Sequence, residues 1–354
     1  MELKGKDNFD HAMSRIYAWY ENEMLDRPPV RFNSHNAFLY SRSQDLTNPD
    51  WKEFWFDCEM VVDHFIRSIE NRRFLAETFP VFWPNLGPSV YAAFYGCSLE
   101  FNETTSWSEP CVDSWDDMNK LKLDCENECL KKIEELTRCA IEQCSGRFMV
   151  GYTDLHPGLD CVAAWRGSER MCMDLYDDPA LIRQLACSAT RDFQMVYDRF
   201  DAELKAHNQL SVSWLEIPSS GKMHIPSCDF GALISKDQYA EFGLPILRQE
   251  VQQMTHNIFH LDGPGVANHL ESILSVPELN AIQWVQPPGD GQPIMQWVGL
   301  VKRIQAAKKS VVVCLAKEEL EQFTEQMDPK GLFLCIAADD ENEQKDIIAR
   351  VEKW

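Results

Sequence analysis

From Arg147 to the C-terminus, short apolar runs alternate with helical stretches. The runs are centred near residues 149, 212, 226, 259, 283, 312 and 334, and an eighth, near residue 30, lies far upstream. A strand that returns to a parallel neighbour needs a crossover, so strand–helix alternation implies a parallel sheet. Eight strands of this kind predict an α/β fold of the (β/α)8 TIM-barrel type rather than an open doubly wound sheet. No G-x-G-x-x-G follows the first strand to favour the open alternative. The expected organisation is one barrel domain over 1–354. Residues 1–28 and 40–145 form helical decoration, and 146–354 supply most of the barrel.

Upstream, residues 7–25 read as a helix that Pro28 and Pro29 terminate. Asp50 is a cap for a helix running to about 71. The stretch 79–88 is apolar but proline-rich, which predicts a buried, shaped loop rather than a central strand. Residues 97–118 read as irregular with exposed tryptophans Trp107 and Trp115, and 124–144 as a long charged helix.

The formal net charge of −22 excludes binding through a nucleic-acid backbone and disfavours an anionic membrane surface. No apolar run is long enough for a bilayer, and the first residues lack the apolar core of a signal peptide. Thirteen cysteines without C-x-x-C spacing then read as reduced thiols of a cytoplasmic protein.

In parallel barrels, functional side chains gather where strands end. His260-Leu261-Asp262 closes a buried strand at a Gly-Pro-Gly turn, and its two polar side chains leave one face. Such a pair suits acid/base chemistry or metal ligation. The structural alternative is a core His bonded to Asp262 or to backbone, with Asp262 capping the next helix. Other strand exits add Asp154 and His156, Trp214 and Glu216, Cys228 and Asp229, Trp284 and Gln286, with Cys314 and Cys335 in the last strands. His260, Asp262 and Cys228 together would suit a divalent ion such as zinc.

Several of these segments also resemble a known family. The 79–88 run with Trp83 and Asn85, Gly151-Tyr152-Thr153-Asp154-Leu155-His156, Cys228-Asp229-Phe230, His260-Leu261-Asp262-Gly263-Pro264 and Ile282-Gln283-Trp284-Val285 resemble the uroporphyrinogen decarboxylase superfamily. They are most similar to its bacterial trimethylamine corrinoid protein 2-like branch. The resemblance spans about 27–354 and implies a (β/α)8 barrel. It implies either a corrinoid-linked, zinc-dependent small-molecule methyltransferase or a metal- and cofactor-free decarboxylase of carboxylated small molecules or tetrapyrroles. A non-catalytic small-molecule binding barrel is the third expectation.

His260-Leu261-Asp262 looks like the methyltransferases' His-x-Cys zinc motif with Asp in place of Cys, and Cys335 stands near the distal Cys position. The decarboxylases' paired arginines are replaced here by Arg31-Phe32-Asn33-Ser34-His35. The methyltransferase reading assigns catalysis to Asp154, His156, His260 and Asp262, and metal binding to His260, Asp262, Cys228 and Cys335. It assigns substrate contact to Trp83, Asn85, Trp214, Asp229, Trp284 and Gln286. A corrinoid protein is the implied partner.

Overall fold

The computed structural model describes residues 2–32 and 50–354. Its centre is a curled, six-stranded, all-parallel sheet built from β1 (Val30–Phe32), β6 (Met223–His224), β7 (His256–Asp262), β8 (Ala281–Val285), β9 (Ser310–Cys314) and β10 (Leu332–Ile336). The order is β1-β10-β9-β8-β7-β6, so chain neighbours are sheet neighbours and the first strand lies beside the last. β2 (Val81–Phe82) and β5 (Met149–Val150) form a second, two-stranded parallel ladder. β3 (Leu99–Phe101) and β4 (Ser106–Ser108) form an antiparallel hairpin.

The sheet strands are buried along nearly their whole length, as expected where helices cover one face and a core fills the other. Val311, Val312 and Val313 with Leu332, Phe333 and Leu334 form its centre, within one contiguous hydrophobic cluster.

Between β1 and β2 the connection passes through a side chain. Glu77 donates its N–H to Val30 O (2.8 Å), and its carboxylate accepts from Val30 N–H (2.7 Å). The same carboxylate binds Arg15 at 2.9 Å and Arg27 at 2.8 Å, all three side chains being buried. Thr78 Oγ1 accepts from Phe32 N–H at 2.9 Å. On the other side, Tyr152 N–H donates to Val212 O at 2.9 Å, joining the exit of β5 to the next segment.

Four expectations need correction. The 79–88 run is not wholly a loop: Val81 and Phe82 pair with Met149 and Val150. Pro80 and Pro84 flank the paired residues instead of interrupting them, and Pro80 supplies only its carbonyl, to Met149 N–H at 2.9 Å. The strand expected near 212 is reduced to an isolated antiparallel bridge, Ser211 to Ser219. The region 97–118 contains a hairpin. The strand expected near 226 lies at Met223–His224, with a further bridge from Ser227 to His260.

The helix expected over 7–25 covers Phe9–Tyr20, and that expected to end near 71 breaks at Asp57 into Trp51–Phe56 and Cys58–Ile69. Asp50 does cap, accepting from Glu53 N–H at 3.1 Å. The polar exit at Asn33, Ser34, His35 and Asn36, and residues 40–49 of the expected insert, lie outside the described residues. No helix among the described residues is long and apolar enough to cross a membrane.

Candidate metal centre and cavity

Strand β7 carries two histidines to opposite fates. His256, near its start, lies flat on Tyr20 (centroids 3.9 Å, interplanar angle 11°) and bonds Ser219 through Nδ1 at 2.8 Å. Burial pushes it down to about 4, so it is a neutral core residue. His260, near the C-terminal end, pairs in register with Gln283 of β8. Its Nδ1 meets Gln283 Oε1 at 2.6 Å. An amide oxygen only accepts, so Nδ1 carries the proton and Nε2 keeps its lone pair. Trp214 stands edge-on to the ring at 5.0 Å and 85°.

Asp262 occupies the N-cap position of the helix Gly263–Ala267, yet its side chain makes no capping hydrogen bond. The structural alternative for the pair therefore fails at both residues. His260 leans on Gln283, and Asp262 caps nothing.

A third donor reaches them from the turn Asp229–Leu233. Gly265 allows that approach, because a Cβ there would come within 2.7 Å of Ala232 Cβ. The turn is held from behind by Asp160, whose carboxylate accepts from Asp229 N–H (3.0 Å) and Phe230 N–H (2.8 Å). Ser227 Oγ donates to Asp229 Oδ1 at 2.9 Å and aims that carboxylate. The result is a group of Asp229, His260 and Asp262 with one ligand atom from each within 4.8 Å of one another. One imidazole and two carboxylates suit a divalent first-row ion, zinc included, on the harder side of its ligand range.

The group borders a cavity of about 780 Å³, within the usual span for small-molecule sites. Asp154, His156, Trp83, Asn85, Trp214 and Asp229 all line it, as the sequence suggested, together with His260. Trp55, Trp107 and Asp160 were not foreseen there. Asp154 Oδ1, His156 Nδ1 and Trp83 Nε1, on three of the lining residues, are buried without a hydrogen-bond partner.

Burial opposes the charge of His156. The Asp154 carboxylate, 3.7 Å away, prevails, with Asp160 and Asp229 adding to it, and raises His156 to about 9. Burial first, then Asp229, raises Asp160 above the usual carboxylate range.

The remaining assignments do not converge. Cys228 faces a separate small void with Tyr239, Glu250 and Phe259, where burial drives its thiol well above the ordinary range. Beside it, Glu250 Oε1 and His224 Nε2 lie 2.6 Å apart, burial raising the acid and lowering the base into a neutral pair. Cys335 pairs in register with Cys314 and Arg31 and is not one of the residues of the metal group. Trp284 points to the other face of β8 from Gln283 and packs on Trp297 at 4.8 Å, fully buried. Gln286 donates to Cys314 O at 2.5 Å and does not line the cavity.

The Asp154–His156 pair makes a pH dependence testable in metal-free protein. His156 is raised above its unfolded value of about 6.5, so its contribution is complete below that value and fades as pH rises through about 9. A shift of this size corresponds to about 3 kcal/mol. The difference in unfolding free energy between wild type and His156→Gln should shrink across that window. A difference constant from about pH 6 to about pH 10 would deny the ion pair its role.

No family model matches the chain, and no curated protein matches it.

Proposed function

We propose that the chain is a metal-dependent small-molecule methyltransferase on a closed (β/α)8 barrel of the uroporphyrinogen decarboxylase type. The observation that carries the reading is the Asp229–His260–Asp262 group at the edge of the cavity. Closure of the barrel is supported by β1 lying beside β10, and by the hydrogen bonds from Glu77 to Val30 and from Tyr152 to Val212.

A divalent ion bound there supplies Lewis acidity, favouring the deprotonated form of an acceptor thiol or water. Around it, the chain's own groups divide the work. Gln283 fixes the His260 tautomer, and Ser227 and Asp160 set the Asp229 carboxylate. Protonated His156, beside Asp154, places a positive charge in the cavity wall. The indoles of Trp55, Trp83, Trp107 and Trp214 give the ligand an apolar surround.

Among the described residues the lining contains Asp154, Asp160 and Asp229 but neither Lys nor Arg, which suits a neutral or cationic small molecule. A tetrapyrrole bearing several carboxylates would meet Asp154 and Asp229 there, with His156 the one raised cation among the described lining residues, which counts against the decarboxylase alternative. Arg31 is committed elsewhere, to Leu215 O and Cys335. A corrinoid methyl donor would be presented at the mouth by a partner protein.

Zinc titration into metal-free protein tests the ligand set, and loss of methylcobalamin absorbance with a thiol acceptor tests the transfer. Gln283→Leu should weaken zinc binding by about 10–100-fold, the usual effect of removing a partner behind a ligating His. Zinc affinity unchanged in that variant would place the ion elsewhere. Wild-type protein that takes up no divalent ion would end the metal reading.

A further inference from the structure

Cys97 and Cys111 bracket the β3–β4 hairpin, one just before Leu99 and the other just after Ser108. Beyond the ladder, Glu109 N–H donates to Ser98 O at 3.0 Å, and this continuation draws the two sulfurs to 2.7 Å. The base of the hairpin is also tied to the helix Leu159–Arg166. Cys111 N–H and Val112 N–H both donate to Trp165 O, at 2.8 and 2.9 Å. The hairpin carries Thr104, Thr105, Trp107 and Ser108 to the cavity wall. It also packs on the opposite rim, where Ser106 Oγ donates to Leu86 O at 2.5 Å.

We propose that Cys97 and Cys111 are a redox modification site, forming a reversible disulfide that clasps the hairpin and fixes this wall of the cavity. Both are free thiols, Cys97 buried and Cys111 half-buried, so solvent reaches the pair through Cys111. The oxidant is a peroxide. The Cys111 thiolate attacks one peroxide oxygen, the O–O bond breaks, and a sulfenic acid forms while the departing hydroxide takes a proton to become water. The Cys97 sulfur then attacks the Cys111 sulfur. The S–S bond forms, the S–OH bond breaks, and the hydroxyl leaves as water with the Cys97 proton. Two thiols are oxidised, one peroxide is reduced, and two waters result.

The hydrogen bond from Cys97 lowers the Cys111 thiol and raises that of Cys97, which matches these attacking and resolving roles. A disulfide needs its sulfurs at about 2.05 Å, a small approach from their present separation. The site stands whether or not the metal reading holds.

The test is peptide mapping without reduction after brief treatment of the full chain with hydrogen peroxide, alongside amide hydrogen exchange. A Cys97–Cys111-linked peptide should be the first linkage to appear. Dithiothreitol should reverse it, and neither Cys97→Ser nor Cys111→Ser should give it. Exchange across 99–110 should slow several-fold in the oxidised protein. Full alkylation of both cysteines after peroxide, or a different pair linking first, overturns the site. A Cys97–Cys111 link without slower exchange overturns its effect on the wall.

Discussion

His260→Ala should lower zinc affinity by more than about 100-fold and abolish methyl transfer, while the protein still unfolds cooperatively near the wild-type temperature. Even partners behind a ligand are worth about 10–100-fold, so losing the imidazole itself must cost more. The remaining Asp229 and Asp262 carboxylates bind a borderline ion weakly without a nitrogen donor. Stability should change little, because the ring is only half-buried at a strand end and gives up a single side-chain hydrogen bond, to Gln283. Binding also requires Nε2 to be free of a proton, so affinity should fall on acidification. Metal content and melting temperature of wild type and variant, measured side by side, decide the matter. A variant that keeps its zinc sinks the assignment. One that loses several degrees with no change in metal content returns His260 to the core.

Glu77→Ala should be strongly destabilising, by about 3–5 kcal/mol, because it strips two buried guanidiniums of their carboxylate. Arg15 retains Asp26, but Arg27 keeps only the Pro28 carbonyl, and Val30 N–H loses its acceptor. Total stability of a domain is about 5–15 kcal/mol, so the loss is a large fraction of it. Glu77→Gln keeps an acceptor for Val30 N–H while removing the charge, and should fall between wild type and Glu77→Ala. Chemical denaturation gives all three values. A cost below about 1 kcal/mol for Glu77→Ala would show that the first strand is held by packing alone.

The parallel sheet was legible because its strands announce themselves. Ser310-Val311-Val312-Val313 and Leu332-Phe333-Leu334-Cys335-Ile336 are buried on both faces and read as largely continuous apolar runs. β2 was not legible, since only two residues pair and prolines flank them, so its signal is shorter than any periodicity window. The strand near 212 was over-read from its alternating Ser and apolar residues, which serve a bridge and a turn instead.

At the site, His260, Asp262, Asp154 and His156 stood out as titratable groups at strand ends. Gln283 was missed although it is a lone amide in an otherwise apolar strand, a pattern that itself demands a polar partner. Its neighbours Trp284 and Gln286 drew attention instead, and β8 turns Trp284 away from the cavity. Asp160 resembles any acidic residue in a first helical turn. Its grip on the Asp229 turn is a contact across 69 residues of sequence that no local pattern encodes. Cys228 and Cys335 failed for a similar reason, since residue type and strand position do not reveal which neighbour a thiol will meet.

The group on β7 and the wall formed by the β3–β4 hairpin come from distant parts of the chain, 99–108 against 256–262. On the proposed reading, reactivity and selectivity are therefore written in separate stretches of the chain. Substitutions in the hairpin could then accumulate without disturbing the donors proposed to hold an ion. A lineage built this way can change what it accepts faster than it changes what it does. The same partition marks 99–108 as the place to begin a library for altered ligand preference.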